Sequence, residues 1–200
     1  MNPACGKIAI LLNGPPRAGK DTAVEALVQA LGGSVEVFKF TRPVKDLTHR
    51  NAGIECSHDH YEELKDVPLP EFRGRTPRQA YIDTSRELKA RNGEDAVARL
   101  FVEAILASNA AVVLNPDCGD DMEALCVADA LSIHNVFVMR IHREGHDFSM
   151  DCRTWVMSPD LNIIDVTNRD GMRREFESEV VARAKSFIEG IEAPVRNYAA

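Results

Sequence analysis

Five short apolar runs, separated by stretches of helical periodicity, constrain the fold of this 200-residue chain more than any other feature. Most of the runs are continuously apolar rather than alternating, which is typical of strands buried on both faces of a parallel sheet. Alternation of such strands with helices predicts right-handed βαβ units and an open α/β sheet with helices on both faces. The predicted strands are residues 7–13, 35–39, 110–114, 136–140 and 162–165.

Amphipathic patterns predict helices over residues 20–31, 94–107, 120–131 and 173–188. Residues 41–91 do not show this alternation of apolar strands and amphipathic helices, because they form a long polar section rich in basic residues and prolines. Within it, Thr76 followed by Pro77 predicts the start of a further helix. We therefore expect one domain spanning residues 1–200, with residues 41–91 as an inserted lobe and residues 141–159 as a second irregular, lid-like segment.

Composition narrows the class of protein. An apolar fraction of 44% and a charged fraction of 28% are ordinary for a globular domain. A net charge of −7 argues against a polymeric nucleic acid as partner and leaves small anionic ligands open. The five cysteines contain no Cys-x-x-Cys pair, which favours free thiols in a reducing compartment. No signal peptide or membrane-spanning run is evident, so a cytoplasmic location without membrane contact is expected.

The most specific motif is Gly14-x-x-x-x-Gly19-Lys20, which follows the first predicted strand and opens the first predicted helix. In that context, backbone N–H groups and the helix N-terminus bind phosphate oxygens, and the lysine reaches the β- and γ-phosphates. Asp21 stands where the motif usually has the serine or threonine that binds Mg²⁺, and Thr22 keeps a hydroxyl one position later. The predicted nucleotide-binding residues are Gly14, Arg17, Ala18, Gly19, Lys20, Asp21 and Thr22.

The loop predicts a nucleoside triphosphate but does not specify the reaction. The chain lacks the Asn-Lys-x-Asp motif expected of a GTPase and the apolar run ending in Asp-Glu that is usual in motor ATPases. A basic inserted section and a later loop rich in arginine and histidine favour a kinase for a small anionic acceptor, where catalysis is positioning and charge neutralisation.

Four segments resemble the deoxynucleoside monophosphate kinases of tailed bacteriophages, a family with the P-loop nucleoside monophosphate kinase fold. Together they span most of residues 14–140, and the first and third are the specific ones. The segments are GPPRAGKDT, FKFTRPVKD, KDVPLPEFRGRTPRQA and VVLNPDCGDDMEA. The resemblance implies a three-layer α/β/α fold with a five-stranded parallel sheet, an inserted acceptor-binding lobe and a lid loop.

The activity implied by the resemblance is ATP- and Mg²⁺-dependent phosphoryl transfer to a nucleoside 5′-monophosphate, in a host cytoplasm if the origin is a phage. Small nucleotides are then the expected partners, and a homodimer stays open. Carried over by position, Arg78 contacts the acceptor phosphate, Lys45 faces the same cleft, and Asp117 joins Asp21 near the metal and phosphates. The residues expected to act in catalysis are Lys20, Arg17, Asp117, Arg140 and Arg143, with Arg153 as a third arginine of the lid.

One departure from the family pattern matters. The family often has an arginine two residues after the aspartate, where this chain has Gly119. Either Arg17 or an arginine of the later loop replaces it, or the acceptor is held differently. Asp117 as a helix cap and Glu123 as a surface acid stay open at this stage. So do two other functions: a P-loop kinase for another acceptor, such as a modified base in DNA, and a nucleotide-binding protein without catalysis.

Overall fold

The described strands and helices follow the order that the apolar runs predict. The structure is a computed structural model, and it describes residues 6–149, 151 and 153–192. The strands in this part of the chain are β1 (Ile8–Asn13), β2 (Val35–Val37), β3 (Val112–Asn115), β4 (Val136–His142) and β5 (Asn162–Thr167). The α-helices are α1 (Lys20–Leu31), α2 (Thr41–Ala52), α3 (Pro77–Asn92), α4 (Ala96–Ala107), α5 (Asp121–Leu131) and α6 (Arg173–Glu192).

The strands form one parallel sheet in the order β2-β3-β1-β4-β5. The predicted five-stranded parallel α/β sheet is therefore confirmed. β1 lies at its centre, with Leu11 opposite Asn115 of β3 and Asn13 opposite Arg140 of β4. In an open parallel sheet, ligands bind beyond the carboxyl ends of the strands, where the connections diverge. The motif that follows β1 lies at this edge.

The core of the sheet is built from alternate residues of the central strands. Ile10, Leu12 and Met139 belong to one apolar cluster with Leu27 of α1 and Val180 of α6. α5 packs against β1 and β4, and the intervening strand residues are fully buried as well. Helices thus flank the sheet, as the continuously apolar runs predict.

The chain divides into two compact units. The first takes in the chain up to Phe38 and again from Ser108, and it contains all the described strands with α1, α5 and α6. The second, Lys39–Ala107, contains α2, α3 and α4. The predicted inserted lobe, residues 41–91, lies inside this second unit. None of the helices in the described residues combines the length and apolarity needed to cross a membrane.

The second unit has its own small core. Tyr61, Phe72 and Ala80 are buried together, and the ring of His49 contacts the first two. Thr76 caps α3 through the backbone N–H of Gln79, whose side chain in turn accepts from the N–H of Thr76, so the predicted helix start is confirmed. α2 was not predicted, because its sequence is polar and carries a proline in its first turn.

Candidate phosphate-binding site

The turn after β1 passes very close to its neighbouring strand. Gly14 is buried, and a Cβ atom built on it would lie 2.6 Å from the carbonyl oxygen of Ile141. Gly19, which caps α1, has φ +111°, a left-handed conformation that side chains rarely adopt. Both glycines of the motif are therefore required by the backbone path, which wraps into the N-terminus of α1.

Arg17 also holds a left-handed backbone conformation, with φ +65°. Such residues cost free energy and persist where the surrounding structure determines them, often at functional sites. The Arg17 side chain is exposed, whereas the next residue, Ala18, is fully buried. The loop is thus anchored through its small residue and presents its arginine to solvent.

Lys20 folds over its own loop. Its Nζ donates to the carbonyl oxygens of Gly14 at 2.6 Å and Pro15 at 2.7 Å. The pKa of Lys20 is lowered to about 8, mainly by burial and next by the nearby charge of Arg153. The carboxylates of Asp21, Asp151 and Asp117 act in the opposite direction. The structure therefore brings the predicted Lys20, Asp21 and Asp117 together, and adds Asp151 and Arg153.

Asp117 lies at the carboxyl end of β3, in a turn held by Asn115. The buried Asn115 donates from Nδ2 to Asp117 Oδ1 at 2.9 Å, and its Oδ1 accepts from the Asp117 backbone N–H at 3.1 Å. α5 is capped instead by Asp120, which accepts from the N–H of Glu123. The alternative that Asp117 caps this helix is therefore wrong.

Glu123 is more than a surface acid, because its Oε2 accepts from the backbone N–H of Gly119 at 2.6 Å. Gly119 itself is closely covered. A Cβ atom on it would lie 3.0 Å from Arg153 Cγ and 3.2 Å from Glu123 Oε2. The space beside Gly119 is taken by the stem of Arg153.

Asn13, the last residue of β1, ties this edge of the sheet together. Its side chain is fully buried, and its Nδ2 donates to the carbonyl oxygens of Cys118 and Thr154, both at 2.9 Å. Its Oδ1 accepts from the N–H of Val156 at 3.1 Å. One amide therefore joins β1 to the loop before α5 and to the segment that carries Arg153.

The predicted lid-like segment, residues 141–159, is held at its second half. The N–H of Thr154 donates to Gly119 O at 2.7 Å, and the N–H groups of Met157 and Ser158 both donate to Asp121 Oδ1 at 2.7 Å. Trp155 packs here, stacked on His142 with ring centroids 4.3 Å apart. Phe148 also meets the indole edge to face, with ring centroids 5.1 Å apart, so Trp155 is a packing residue of this segment.

The three predicted lid arginines have different surroundings. Arg143 donates from Nη1 to Arg17 O at 3.2 Å and from Nη2 to Asp170 at 2.6 Å. Arg153 pairs with Asp151, and this hydrogen bond is the main reason why the pKa of Asp151 is lowered. Arg140 makes a bidentate pair with Asp165, at 2.8 and 2.6 Å. Arg143 thus contacts the loop, Arg153 lies near Lys20, and Arg140 is directed to β5.

A triphosphate fits these residues. A helix N-terminus, a lysine and arginines converge on the loop, and in the described part of the chain Arg143 Nε is buried without a hydrogen-bond partner. A buried donor without a partner calls for an acceptor, and a phosphate oxygen would supply one. For the metal, the described residues contain no group of three or more His, Cys, Asp or Glu arranged to hold an ion. Mg²⁺ suits the site only if phosphates share it, with Asp21 and Asp117 as the carboxylates.

The two predicted acceptor residues, Lys45 and Arg78, belong to the second unit. Lys45 forms an ion pair with Glu62 and lies 5.4 Å from the centre of the Tyr81 ring. Arg78 donates to both oxygens of Asp66, at 2.7 and 3.3 Å, which raises its pKa, and Glu62 adds to this effect. Lys45 and Arg78 are therefore brought near the same carboxylate.

A cavity of about 410 Å³ also lies in the second unit, between α2 and residues 54–58. Arg42, Arg50 and His58 line it together with Asp46. None of the predicted site residues lines it. The arrangement of Cys56, His58 and His60, which have metal-binding side chains, does not form a metal site among the described residues.

Several residues of the site were not found from the sequence. These are Asn13 and Asn115 at two strand ends, Asp151 beside Arg153, and Asn168, which donates to the loop carbonyl of Ala18 at 2.9 Å. The asparagines are polar residues at the carboxyl ends of apolar runs, which is a usable signal. Asp151 had no local signal.

Comparison with known proteins does not identify a function for this site. No protein-family model matches the chain, and no curated protein matches it. Among solved structures, the chain is similar to an unliganded sugar kinase from Janibacter sp. HTCC2649, with a TM-score of 0.46 and 10% identity over 92% of this chain and 95% of that one. No conclusion about function follows from a likeness at this level.

Proposed function

We propose that the chain transfers the γ-phosphoryl group of ATP to a nucleoside 5′-monophosphate, with deoxynucleotides as the expected acceptors. The bond between the γ-phosphorus and the bridging oxygen breaks, a bond to an acceptor phosphate oxygen forms, and ADP leaves. The observation that carries the proposal is the glycine loop between β1 and α1, with Lys20 near Arg153 and three aspartates. The resemblance of the four sequence segments supports the choice of acceptor.

The loop and Lys20 hold the phosphates in this proposal. The backbone N–H groups of residues 19–22, at the positive end of α1, face the anion, and the Lys20 ammonium exchanges its carbonyl partners for phosphate oxygens. Mg²⁺, when bound, neutralises charge on the phosphates, and Asp21 and Asp117 hold it, in part through water.

Arg153, Arg143 and Arg140 have separate roles in this proposal. Arg153, whose stem lies on Gly119 near Lys20, stabilises the charge that spreads over the transferred group. Arg143 joins the loop to the segment that follows β4. Arg140 is kept in place by Asp165 and contributes to the field at the sheet edge.

The acceptor phosphate is assigned to Arg78 and Lys45 of the second unit. Each is paired with a carboxylate, Asp66 or Glu62, so phosphate binding replaces one charged partner by another. The Arg78–Asp66 pair is exposed and therefore weak in water, so its exchange costs little, whereas Lys45 is the more buried partner of its own pair, with 15% of its side chain exposed. The net charge of −7 favours a free nucleotide over a polymer as acceptor.

The test is ADP release from ATP and Mg²⁺ against a panel of ribo- and deoxynucleoside monophosphates. Lys20→Ala should lose most of the turnover, whereas Lys185→Ala, which removes an exposed lysine of α6, should keep it. Turnover that needs a particular monophosphate supports the proposal and identifies the base.

The departure at Gly119 favours a second acceptor class strongly enough to include it in the same panel. Duplex DNA with hydroxymethylated bases tests whether the chain phosphorylates a base in a polymer. If only DNA supports turnover, the mononucleotide proposal is wrong. If ATP binds and no acceptor supports turnover, the chain is a nucleotide-binding protein.

A further inference from the structure

We infer that Asn168 is a positioning residue, which orients the Ala18–Gly19 peptide so that its N–H faces the phosphate. This inference rests on the proposed function. Asn168 follows β5 directly, and its own N–H donates to His142 O at 2.8 Å, which fixes its backbone to the end of β4. Its side-chain Nδ2 then donates to Ala18 O at 2.9 Å.

The contact is close on the Gly19 side as well. A Cβ atom on Gly19 would lie 2.3 Å from Asn168 Nδ2 and 3.6 Å from Phe176 Cε1. Residues from β5 onward therefore cover one side of this glycine. In a trans peptide the C=O and the following N–H point in opposite directions. Because the Ala18 carbonyl faces Asn168, the Gly19 N–H points away from Asn168, and the inference places the phosphate on that side.

The preceding peptide is held in a matching way. Arg143 Nη1 donates to Arg17 O at 3.2 Å, and the Ala18 N–H on the other side of that peptide donates to Pro15 O at 3.3 Å. Two successive carbonyls are thus bound from outside the loop. This matters because the left-handed backbone conformation of Arg17 costs free energy and persists where its surroundings hold it, while Gly19 has no side chain to restrict its own conformation.

The expected consequence concerns phosphate affinity rather than the chemical step. Without the Asn168 amide, the loop populates peptide orientations in which the Gly19 N–H is turned away. The apparent affinity for phosphate is then reduced in proportion to the fraction of molecules whose loop has the binding-competent peptide orientation. Loss of one hydrogen bond predicts a decrease of about three- to tenfold. The KM for ATP should rise by that factor while kcat changes little, since the competent loop is unaltered.

The experiment compares Asn168→Ala and Asn168→Ser with Asn162→Ala. The serine keeps a polar group whose oxygen is one bond too short to reach Ala18 O, which guards against a folding defect in the alanine variant. Asn162 is the matched control, because it begins the same strand and its Nδ2 donates to the carbonyl oxygens of Ile133 and Val136, at 3.1 and 3.2 Å. Binding of ADP and of inorganic tripolyphosphate is measured by calorimetry, and KM and kcat by ADP release.

Weaker ADP and tripolyphosphate binding in both Asn168 variants, with normal binding in Asn162→Ala, supports the inference. It does so even if wild-type protein phosphorylates no acceptor, in which case only the proposed function falls. If the wild-type protein is active and both Asn168 variants have the same KM for ATP as the wild type, the inference is wrong and the proposed function stands. A wild-type protein that binds neither phosphate ligand overturns both.

Discussion

The side chain of Arg153 lies against Gly119, 34 residues earlier in the chain and in a different loop. A Cβ atom on Gly119 would come within 3.0 Å of Arg153 Cγ and 3.4 Å of Cδ. The glycine at position 119 and the arginine at position 153 therefore form one arrangement, in which the missing side chain makes room for the one that is present. Arg153 also lies near enough to Lys20 to lower its pKa.

Replacement of Arg153 by alanine should lower kcat for phosphoryl transfer by about 10²- to 10³-fold, as for other removals of a charge-stabilising donor. The free energy of unfolding should fall as well, by about 1–3 kcal/mol, because the side chains of Arg153 and Asp151 are only 26% and 13% exposed and Asp151 loses its charged partner. Steady-state ADP release and thermal unfolding measure the two effects. Arg173→Ala is the control, since it removes an exposed ion pair within α6. Equal kcat values for the two variants would contradict the role of Arg153.

Gly119→Ala should lower kcat by displacing Arg153 without removing it. The atoms that a Cβ would meet belong to the side chains of Arg153 and Glu123 rather than to backbone, so both side chains must move and the free energy of unfolding should fall by about 1–3 kcal/mol. Gly33→Ala is the control, because nothing lies within 4 Å of a Cβ there. A Gly119→Ala variant with wild-type kcat would show that the position of the Arg153 stem is unimportant.

The strands and the phosphate loop were predictable because each depends on local sequence. The predicted helix at residues 20–31 matches α1, and β1 differs by one residue from its prediction. The glycine loop was recognisable because steric limits at Gly14 and Gly19 leave few other residues possible. β4 continues to His142, past the predicted end at Arg140, because the pairing with β5 continues to that point.

The surroundings of Lys20 were not predictable from local sequence. Asp151 and Arg153 are more than 130 positions away from it, and only the folded sheet brings that segment to the loop. The same holds for Asn13, whose partners lie more than 100 residues later in the chain. α2 was missed for another reason, since its stability comes from packing against α3 and α4 and not from an apolar pattern of its own.

Affinity for ATP should decrease as the pH rises through about 8, where Lys20 is half deprotonated in the free protein. Phosphate binds the charged ammonium, so the complex takes up a proton at this pH, and affinity falls by up to tenfold for each further pH unit. Calorimetry between pH 7 and 9.5 in buffers of different ionisation heat measures both quantities. Lys20→Arg should give a flatter profile, because arginine stays charged. A wild-type affinity that is constant over this range would contradict the shifted pKa.

Asn13→Ala should destabilise the protein by about 2–4 kcal/mol, because it leaves the N–H of Val156 and the carbonyl groups of Cys118 and Thr154 without their buried partner. Urea unfolding at pH 7.5 measures the loss. Asn135→Ala removes a single hydrogen bond, to Leu131 O, and should cost about 1 kcal/mol. If the two variants lose the same stability, the Asn13 network is not the main connection at this edge.

Below pH 6.5, the free energy of unfolding should decrease more steeply in the wild-type protein, which has a buried His49, than in a variant with a non-titrating residue at this position. Its Nδ1 contacts Cys56 O at 3.0 Å, and its Nε2 lies 2.8 Å from the Tyr81 hydroxyl. The Nδ1–H therefore donates, and the neutral Nε2 accepts. Burial lowers the pKa of His49, and the charges of His58 and Lys45 add to this, while the Cys56 carbonyl and Asp46 oppose it.

The folded state thus holds His49 neutral at a pH where the unfolded chain binds a proton, so acid favours unfolding. As the pH falls from 6.5 toward the lowered value, this residue alone reduces the free energy of unfolding by at most about 1.4 kcal/mol per unit. His49→Gln keeps one donor and one acceptor but does not titrate. Urea unfolding of both proteins at pH 7.5 and pH 5 should show a larger loss in the wild type, and equal losses would mean that His49 takes up its proton as readily when folded.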